Sequence, residues 1–344
     1  MTTMPDRITG GVDTHLDVHV AAALDSIGGL VGVESFPADA TGYRRLLAWL
    51  RGFGTVELVG VEGTGSYGAG LTRHLHEKGV AVVEVDRPNR QERRRAGKSD
   101  PLDAIEAARA AQSGRAKGAA KNRNGNVEAI RVLRVARSSA RKDRARALNQ
   151  LRSLVSTAPE ELRGLLRDLS ACRLVDKAAG FRPNGRTDVI SATKLAMRTL
   201  GRRIRDLDAE IAELDAVLGP LVEATAPDLM TRPGLGTDTA GALLVAAGDN
   251  PHRLRNEATF AHLCGASPLD ASSGKQQRHR LNRGGDRQAN SALWRIVITR
   301  LASDPKTRHY LERRCKEGLT KTEAIRCLKR YVAREVFYYL QPLA

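Results

Sequence analysis

Residues Val12-Asp13-Thr14-His15-Leu16-Asp17-Val18-His19-Val20 alternate apolar and polar side chains, with Thr14 on the apolar side. A period of two is that of a half-buried strand, so the pattern predicts one strand carrying Asp13, His15, Asp17 and His19 on one face. Gly28-Gly29 follows as a turn signal, and the apolar run 30–36 completes a hairpin. Helical spacing over 41–51, an apolar strand over 56–61, a helix over 66–78 and a strand over 80–85 come next. A hairpin followed by a strand–helix–strand unit predicts an α/β fold, a mixed sheet covered by helices.

The chain has 344 residues, of which 41% are hydrophobic. That is enough for about two folded domains. Its 56 Lys and Arg against 39 Asp and Glu give a formal net charge of +17. Such an excess raises the surface potential by several kT and draws polyanions, nucleic acid first. Aromatic residues are only 4%, which favours phosphate contacts over base stacking. No apolar run reaches the roughly 18 residues that cross a bilayer, and the first residues lack a basic region leading into an apolar one. A cytoplasmic, nucleoid-associated protein with no membrane partner is the expectation. Cys172, Cys264, Cys315 and Cys327 lie far apart with no C-x-x-C pair, the spacing of neither a disulfide framework nor a zinc ribbon.

Beyond the sheet the chain reads as helical and basic. Arg131, Arg134, Arg137, Arg141 and Arg144 recur at three- and four-residue steps, a stripe on one helix face. With few acids nearby in sequence, the stripe is expected to track phosphates. Leu200, Ile204, Leu207, Ile211, Leu214 and Leu218 form a heptad seam. It predicts a coiled-coil arm ending at Gly219-Pro220, with an intramolecular hairpin as the plainer alternative. Asn184-Gly185 and Ala226-Pro227 read as its joints. The stretch Arg232-Pro233-Gly234-Leu235-Gly236-Thr237 precedes an apolar helix and predicts backbone N–H groups turned toward a phosphate, as in helix-hairpin-helix DNA binders.

Two motifs compete for the chemistry. Gly63-Thr64-Gly65-Ser66-Tyr67-Gly68, with Asp86 further on, fits a dinucleotide fingerprint. It follows the third apparent strand rather than the first, and Glu62 abuts it where a pyrophosphate would sit. The other reading uses the acids: Asp13 in the first strand, Glu62 at the carboxyl end of the strand 56–61, and Asp100 and Asp103 three residues apart at the start of a helix beginning near Ser99. Four such carboxylates repel one another unless divalent cations neutralise them. Two Mg²⁺ ions about 3.5–4 Å apart are a standard device for phosphodiester chemistry. The basic run Arg87, Arg90, Arg93, Arg94, Arg95 and Lys98 is placed to hold a nucleic-acid strand against such a site.

Gly11-Val12-Asp13-Thr14-His15, Val61-Glu62-Gly63-Thr64-Gly65-Ser66-Tyr67 and Lys98-Ser99-Asp100-Pro101-Leu102-Asp103-Ala104 resemble, in order and spacing, the DEDD acids of transposases encoded by insertion sequence 110 and its relatives. Pro233-Gly234-Leu235-Gly236, the stretch 260–268, Ser272-Ser273-Gly274-Lys275 and the stretch 278–290 are similar to the second domain of that family. The resemblance covers nearly the whole chain. It implies an N-terminal RNase H-like (RuvC-like) domain over 7–160, a helical linker with a coiled coil over 161–226, and a mostly α C-terminal domain over 227–344 that supplies a nucleophilic serine. The usual family pattern is Ser-Gly-Gly-Lys. Aligning its lysine with Lys275 puts the nucleophile at Ser272, but Ser273 replaces the first glycine, so the adjacent serine stays open. Lys275, Arg278, Arg280 and Arg283 suit phosphate positioning.

The resemblance further implies Mg²⁺ held by Asp13, Glu62, Asp100 and Asp103, DNA as substrate and a structured non-coding guide RNA. With a helical arm between the two domains, composite active sites, with acids and serine from different protomers of a homo-oligomer, dimer or tetramer, are the expectation. A site-specific recombinase forming a serine–DNA link is the reading that results. Its rivals are a metal-dependent junction endonuclease, in which water attacks, and a non-catalytic nucleic-acid-binding protein.

Overall fold

The computed structural model describes residues 7–85, 99–116, 118–183, 185, 188–274 and 279–340. Asp86, the basic run from Arg87 to Lys98, Asn184, Lys275 and Arg278 lie outside the described residues. The described residues divide into two compact units. One comprises residues up to Glu128, Ala246–Gly285 and the end of the chain from Ala333; the other comprises Ala129–Val245 and Asp286–Val332.

The first unit is built on a mixed sheet. Its strands are β1 (Arg7–Thr14), β2 (Val18–Leu24), β3 (Leu30–Pro37), β4 (Thr55–Glu62), β5 (Ala81–Val85) and β6 (Gly118–Ala119), in the order β3-β2-β1-β4-β5-β6. β1, β2 and β3 are antiparallel to one another, β4 joins β1 in parallel, β5 joins β4 in parallel, and β6 is an antiparallel edge. An antiparallel three-stranded start distinguishes this sheet from a dinucleotide fold, whose strands are parallel. It is compatible with an RNase H-like domain.

The expected single strand over 12–20 is two strands. The chain reverses at His15-Leu16-Asp17, where the His15 N–H donates to the Val18 carbonyl at 3.2 Å, and Asp13 then pairs with Val20 and Thr14 with His19. This turn carries no Gly or Asn, so the period of two runs through it and conceals it. As a result Asp13 and His19 are not on one face. The hairpin at Gly28-Gly29 forms as expected, with Gly28 at φ 89°.

Helices α1 (Ala40–Phe53) and α2 (Ala69–Glu77) cover one face of the sheet. Their Leu46, Leu47, Leu50, Leu71 and Leu75 pack on Ile8, Val12, Ala21, Val59 and Val61, all nearly fully buried. Asp39 starts α1, its carboxylate accepting from the N–H groups of Thr41 and Gly42. Helix α3 (Asp100–Gln112) lies on the other face, over β1, β2 and β4.

The second unit holds α4 (Asn126–Thr157, from Ala129 on), α5 (Glu160–Leu166), α6 (Ala171–Ala179), α7 (Val189–Thr225), α8 (Pro227–Met230), α9 (Thr237–Ala247, up to Val245), α11 (Arg287–Ser303), α12 (Pro305–Lys316) and α13 (Lys321–Leu340, up to Val332). Helix α10 (Glu257–Leu263) and a hairpin of β7 (Leu269–Asp270) and β8 (His279–Arg280) belong to the first unit. Residues 249–250 are tied to the sheet side of that unit: Asn250 donates to the Ala120 carbonyl at 2.9 Å, and Asp249 accepts from the Val127 N–H at 2.9 Å.

α4 and α7 run antiparallel. Arg137 pairs with Asp215 and Arg144 with Asp208, one heptad apart on each helix and in opposite senses. Ala147, Leu151 and Val155 of α4 share a core with Met197 and Ile204 of α7 and with Leu174, Val175 and Ala178 of α6. Two expectations are thereby corrected. The arginine stripe is not a bare phosphate track, because acids distant in sequence, Asp208, Asp215 and Asp238, neutralise Arg144, Arg137 and Arg134. The seam is spent in part within the chain, at Ile204, and does not stop at Gly219-Pro220: α7 carries Pro220 inside it and continues to Thr225. A proline breaks a helix only where the lost hydrogen bond and ring clash, about 3 kcal/mol, exceed what packing of the next turn supplies; here Leu218 and Val222 are both fully buried.

The Gly-rich start of α9 is corrected too. The Gly236 N–H donates to Thr239 Oγ1 at 3.0 Å, and the Asp238 carboxylate, bound by Arg134 and Arg295, occupies the first turn where a phosphate was expected.

Candidate metal centre

Two glycines set the geometry of the acids. β1 and β4 pair with Gly11 opposite Gly60, and α3 crosses above both. A Cβ on Gly11 would run into the Ala104 carbonyl and the backbone nitrogen of Ala108, and one on Gly60 would lie 2.5 Å from the Ala107 carbonyl. The helix therefore rests on bare strand backbone. Side chains alternate along a strand, so Asp13 and Glu62, each two residues past its glycine, stand on the face that α3 covers, side by side at the carboxyl ends of parallel strands. Val12 and Val61 between them go into the opposite core.

Asp100 and Asp103 come from the first turn of α3, on one side of the helix. Asp13 and Asp103 are buried, at 5% and 7% exposure, and Asp100 is half exposed. Burial pushes the Asp13 carboxyl above its ordinary range, the negative charges of Asp103 and Asp100 add to the rise, and His15 acts against it.

His15, at the β1–β2 turn, closes the cluster. Its Nε2 lies 3.1 Å from Asp13 Oδ2 and 3.5 Å from Asp100 Oδ1. Ligand atoms of Asp13, His15 and Asp100 all fall within 4.8 Å of one another. Carboxylate oxygens with one imidazole nitrogen fit a divalent cation such as Mg²⁺ or Mn²⁺, the nitrogen favouring the latter. The structure thus gathers Asp13, Asp100 and Asp103, sets Glu62 in the neighbouring register position, and adds His15, which the strand alternation sets beside Asp13 but which is not among the four expected ligands. The repeated Gly-Val-acid in Gly11-Val12-Asp13 and Gly60-Val61-Glu62 was the available signal that the two acids are neighbours.

The Gly63–Gly68 turn closes on itself, with Gly65, Ser66 and Tyr67 exposed. Gly63 has φ 71°, and its carbonyl accepts from the N–H groups of Ser66 at 2.9 Å and Gly68 at 3.2 Å. Those amides are not available to a pyrophosphate. Thr14 Oγ1 donates to the Glu62 carbonyl at 2.8 Å, fixing the end of β4 against β1.

Ser272 lies in the exposed β7–β8 hairpin, in the same compact unit as the four acids. Its hydroxyl donates to Asp270 Oδ1 at 2.5 Å. Arg280 and Arg283 lie in or near this hairpin, Arg280 exposed in β8.

Two family profiles match the chain. One, described as a transposase and named for the DEDD domain of IS110, covers residues 10–158; the other, the IS116/IS110/IS902 transposase family, covers residues 226–312. The chain belongs to the IS110 family of transposases. The first match contains Asp13, Glu62, Asp100 and Asp103, and the second contains Ser272. A 43.6 kDa protein of insertion element IS110 from Streptomyces coelicolor is 33% identical over 131 residues, 37% of this chain and 32% of that protein. A 42 kDa protein of insertion element IS900 from Mycobacterium paratuberculosis is 24% identical over 153 residues, 43% of this chain and 38% of that protein. The matched stretch spans about a third of the length of these two relatives. No helix among the described residues is long and apolar enough to cross a membrane.

Proposed function

We propose that the chain is the recombinase of an insertion sequence, acting on DNA by metal-dependent phosphodiester transesterification. The observation that carries this reading is the convergence of Asp100, Asp103 and His15 on the buried Asp13, with Glu62 at the adjacent strand end. Asp13, Glu62, Asp100 and Asp103 hold divalent cations, two Mg²⁺ per site, and His15 holds the edge of the cluster. Bound there, the cations supply charge neutralisation for a phosphate in the transition state. The buried acids keep that charge in a low-dielectric site, where it counts for more than in water.

Ser272 is the nucleophile, and its link to a DNA phosphate conserves the bond for strand exchange. The division into a catalytic domain over 7–160, a linker over 161–226 and a C-terminal domain over 227–344 belongs to the same reading. So do a guide RNA, read from the family resemblance, and an oligomer that buries what remains of the α7 seam at Leu207, Ile211 and Leu214, which are half-buried. The excess charge of +17 suits both polyanions.

Trapping a covalent protein–DNA adduct on denaturing gels, from a plasmid carrying the gene with its flanking DNA, tests this. The adduct is expected with wild type and lost with Ser272→Ala and with Asp13→Ala. Cut ends without any adduct would mean that water attacks. Loss only with Ser273→Ala would move the nucleophile one residue on.

A further inference from the structure

Asp270 and Ser272 form a pair that the metal centre does not explain. Asp270 ends β7 and stands opposite His279 in β8. Its Oδ1 accepts two hydrogen bonds from Ser272, one from the backbone N–H at 2.9 Å and one from the hydroxyl at 2.5 Å. The first is an Asx turn, for which any acceptor serves. The second is different in kind: it aims the one exchangeable proton of the serine side chain at a carboxylate. These bonds, the hydroxyl's first, hold the Asp270 carboxyl below its ordinary range, so it is ionised at neutral pH. Both residues are exposed.

We infer that Asp270 orients the Ser272 hydroxyl and takes its proton as the serine attacks. This rests on Ser272 being the nucleophile. As the bond from Oγ to phosphorus forms, the Oγ–H bond breaks and the proton passes to Asp270 Oδ1. The bond from phosphorus to the leaving sugar oxygen breaks, that oxygen takes a proton from solvent water, and Asp270 returns its proton to solvent. General-base assistance of this kind amounts to about 10²–10⁴-fold in rate.

Asp270→Asn separates the two roles, because asparagine Oδ1 still accepts both hydrogen bonds but takes no proton. The full-length chain is assayed with the plasmid that carries its gene and flanking DNA, adduct formation is timed, and the attached residue is mapped by mass spectrometry. The expected result is attachment at Ser272 in wild type and adduct formation about 10²–10⁴-fold slower in D270N. The deficit shrinks as pH rises and hydroxide replaces the missing base, while the melting midpoint and Mn²⁺ binding stay at wild-type values. A D270N rate equal to wild type would overturn the inference and leave Asp270 as a turn acceptor. Wild-type attachment at Ser273, or no adduct at all, would instead remove the reading of Ser272 on which the inference stands.

Discussion

Gly11 of β1 meets Ala108 of α3 backbone to backbone, with no room between them for a side chain. That contact sets how closely α3 lies on the sheet, and so how near Asp100 and Asp103 stand to Asp13.

Gly11→Ala should therefore lift α3 from the sheet. Overpacking a close contact costs about 1–3 kcal/mol, and here the obstacle is backbone, which cannot rotate aside. A lower melting midpoint and weakened divalent-metal binding are expected together. Gly52→Ala, whose added methyl would meet nothing within 4 Å inside α1, is the control: it should leave metal binding unchanged and should not lower the melting midpoint, since Ala in place of a helical Gly stabilises by about 0.4–1 kcal/mol. Unaltered metal binding in G11A would mean that the acid geometry does not depend on this packing.

The ion pairs of the second unit should differ sharply in worth. Arg134 is only 10% exposed and depends on Asp238, which also binds Arg295. Burial acts against the charge on Asp238, yet these arginines hold its carboxyl below the usual range. Removing one partner of a buried pair strands the other, so Asp238→Ala should cost about 3–5 kcal/mol. Asp208→Ala breaks an exposed pair with Arg144 and should cost roughly 0–1 kcal/mol. Denaturant unfolding of the two variants checks the ranking, and equal losses would contradict it.

Acid should weaken the first unit through its histidines. His19 is fully buried, stacks on Tyr43 with ring centroids 5.7 Å apart, and has no hydrogen-bond partner for either ring nitrogen among the described residues. Burial lowers its pKa from 6.5, as it does for His74 and His76. The unfolded chain then binds protons below about pH 6.5 that the folded chain refuses, so stability falls as pH drops through that value. Melting midpoints between pH 7.5 and pH 5.5 should decline, and the decline should be smaller in His19→Phe. A midpoint that is flat or rises toward pH 5.5 would refute this.

The mixed sheet was legible because its strands carry simple signals: apolar runs, a Gly28-Gly29 turn, and a helix start at Ser99-Asp100. The β1–β2 turn was not, since His15-Leu16-Asp17 keeps the alternation of the flanking strands and contains no Gly, Pro or Asn. The arginine stripe misled for another reason. Its partners, Asp208, Asp215 and Asp238, are brought in by an antiparallel helix and a later turn, and no local window contains both charges. Pro220 was read as a stop because local propensity does not register that Val222 beyond it is buried. The acids at the candidate site were legible one by one, but their adjacency depends on Gly11 facing Gly60, a pairing between strands far apart in sequence.

Whether the acids share divalent ions is tested most directly by calorimetric titration of the full-length chain with Mg²⁺ and Mn²⁺, beside thermal melts of wild type and Asp13→Asn. In the metal-free protein the Asp13 pKa lies above its ordinary 3.8, so ionising this buried group as pH rises through that window destabilises the fold. Metal-free D13N should melt at or above wild type, by up to a few degrees. Wild type should bind the ions and melt higher with them, Mn²⁺ more tightly than Mg²⁺, whereas D13N should lose the binding heat and the shift. No binding by wild type, or undiminished binding by D13N, would contradict the account.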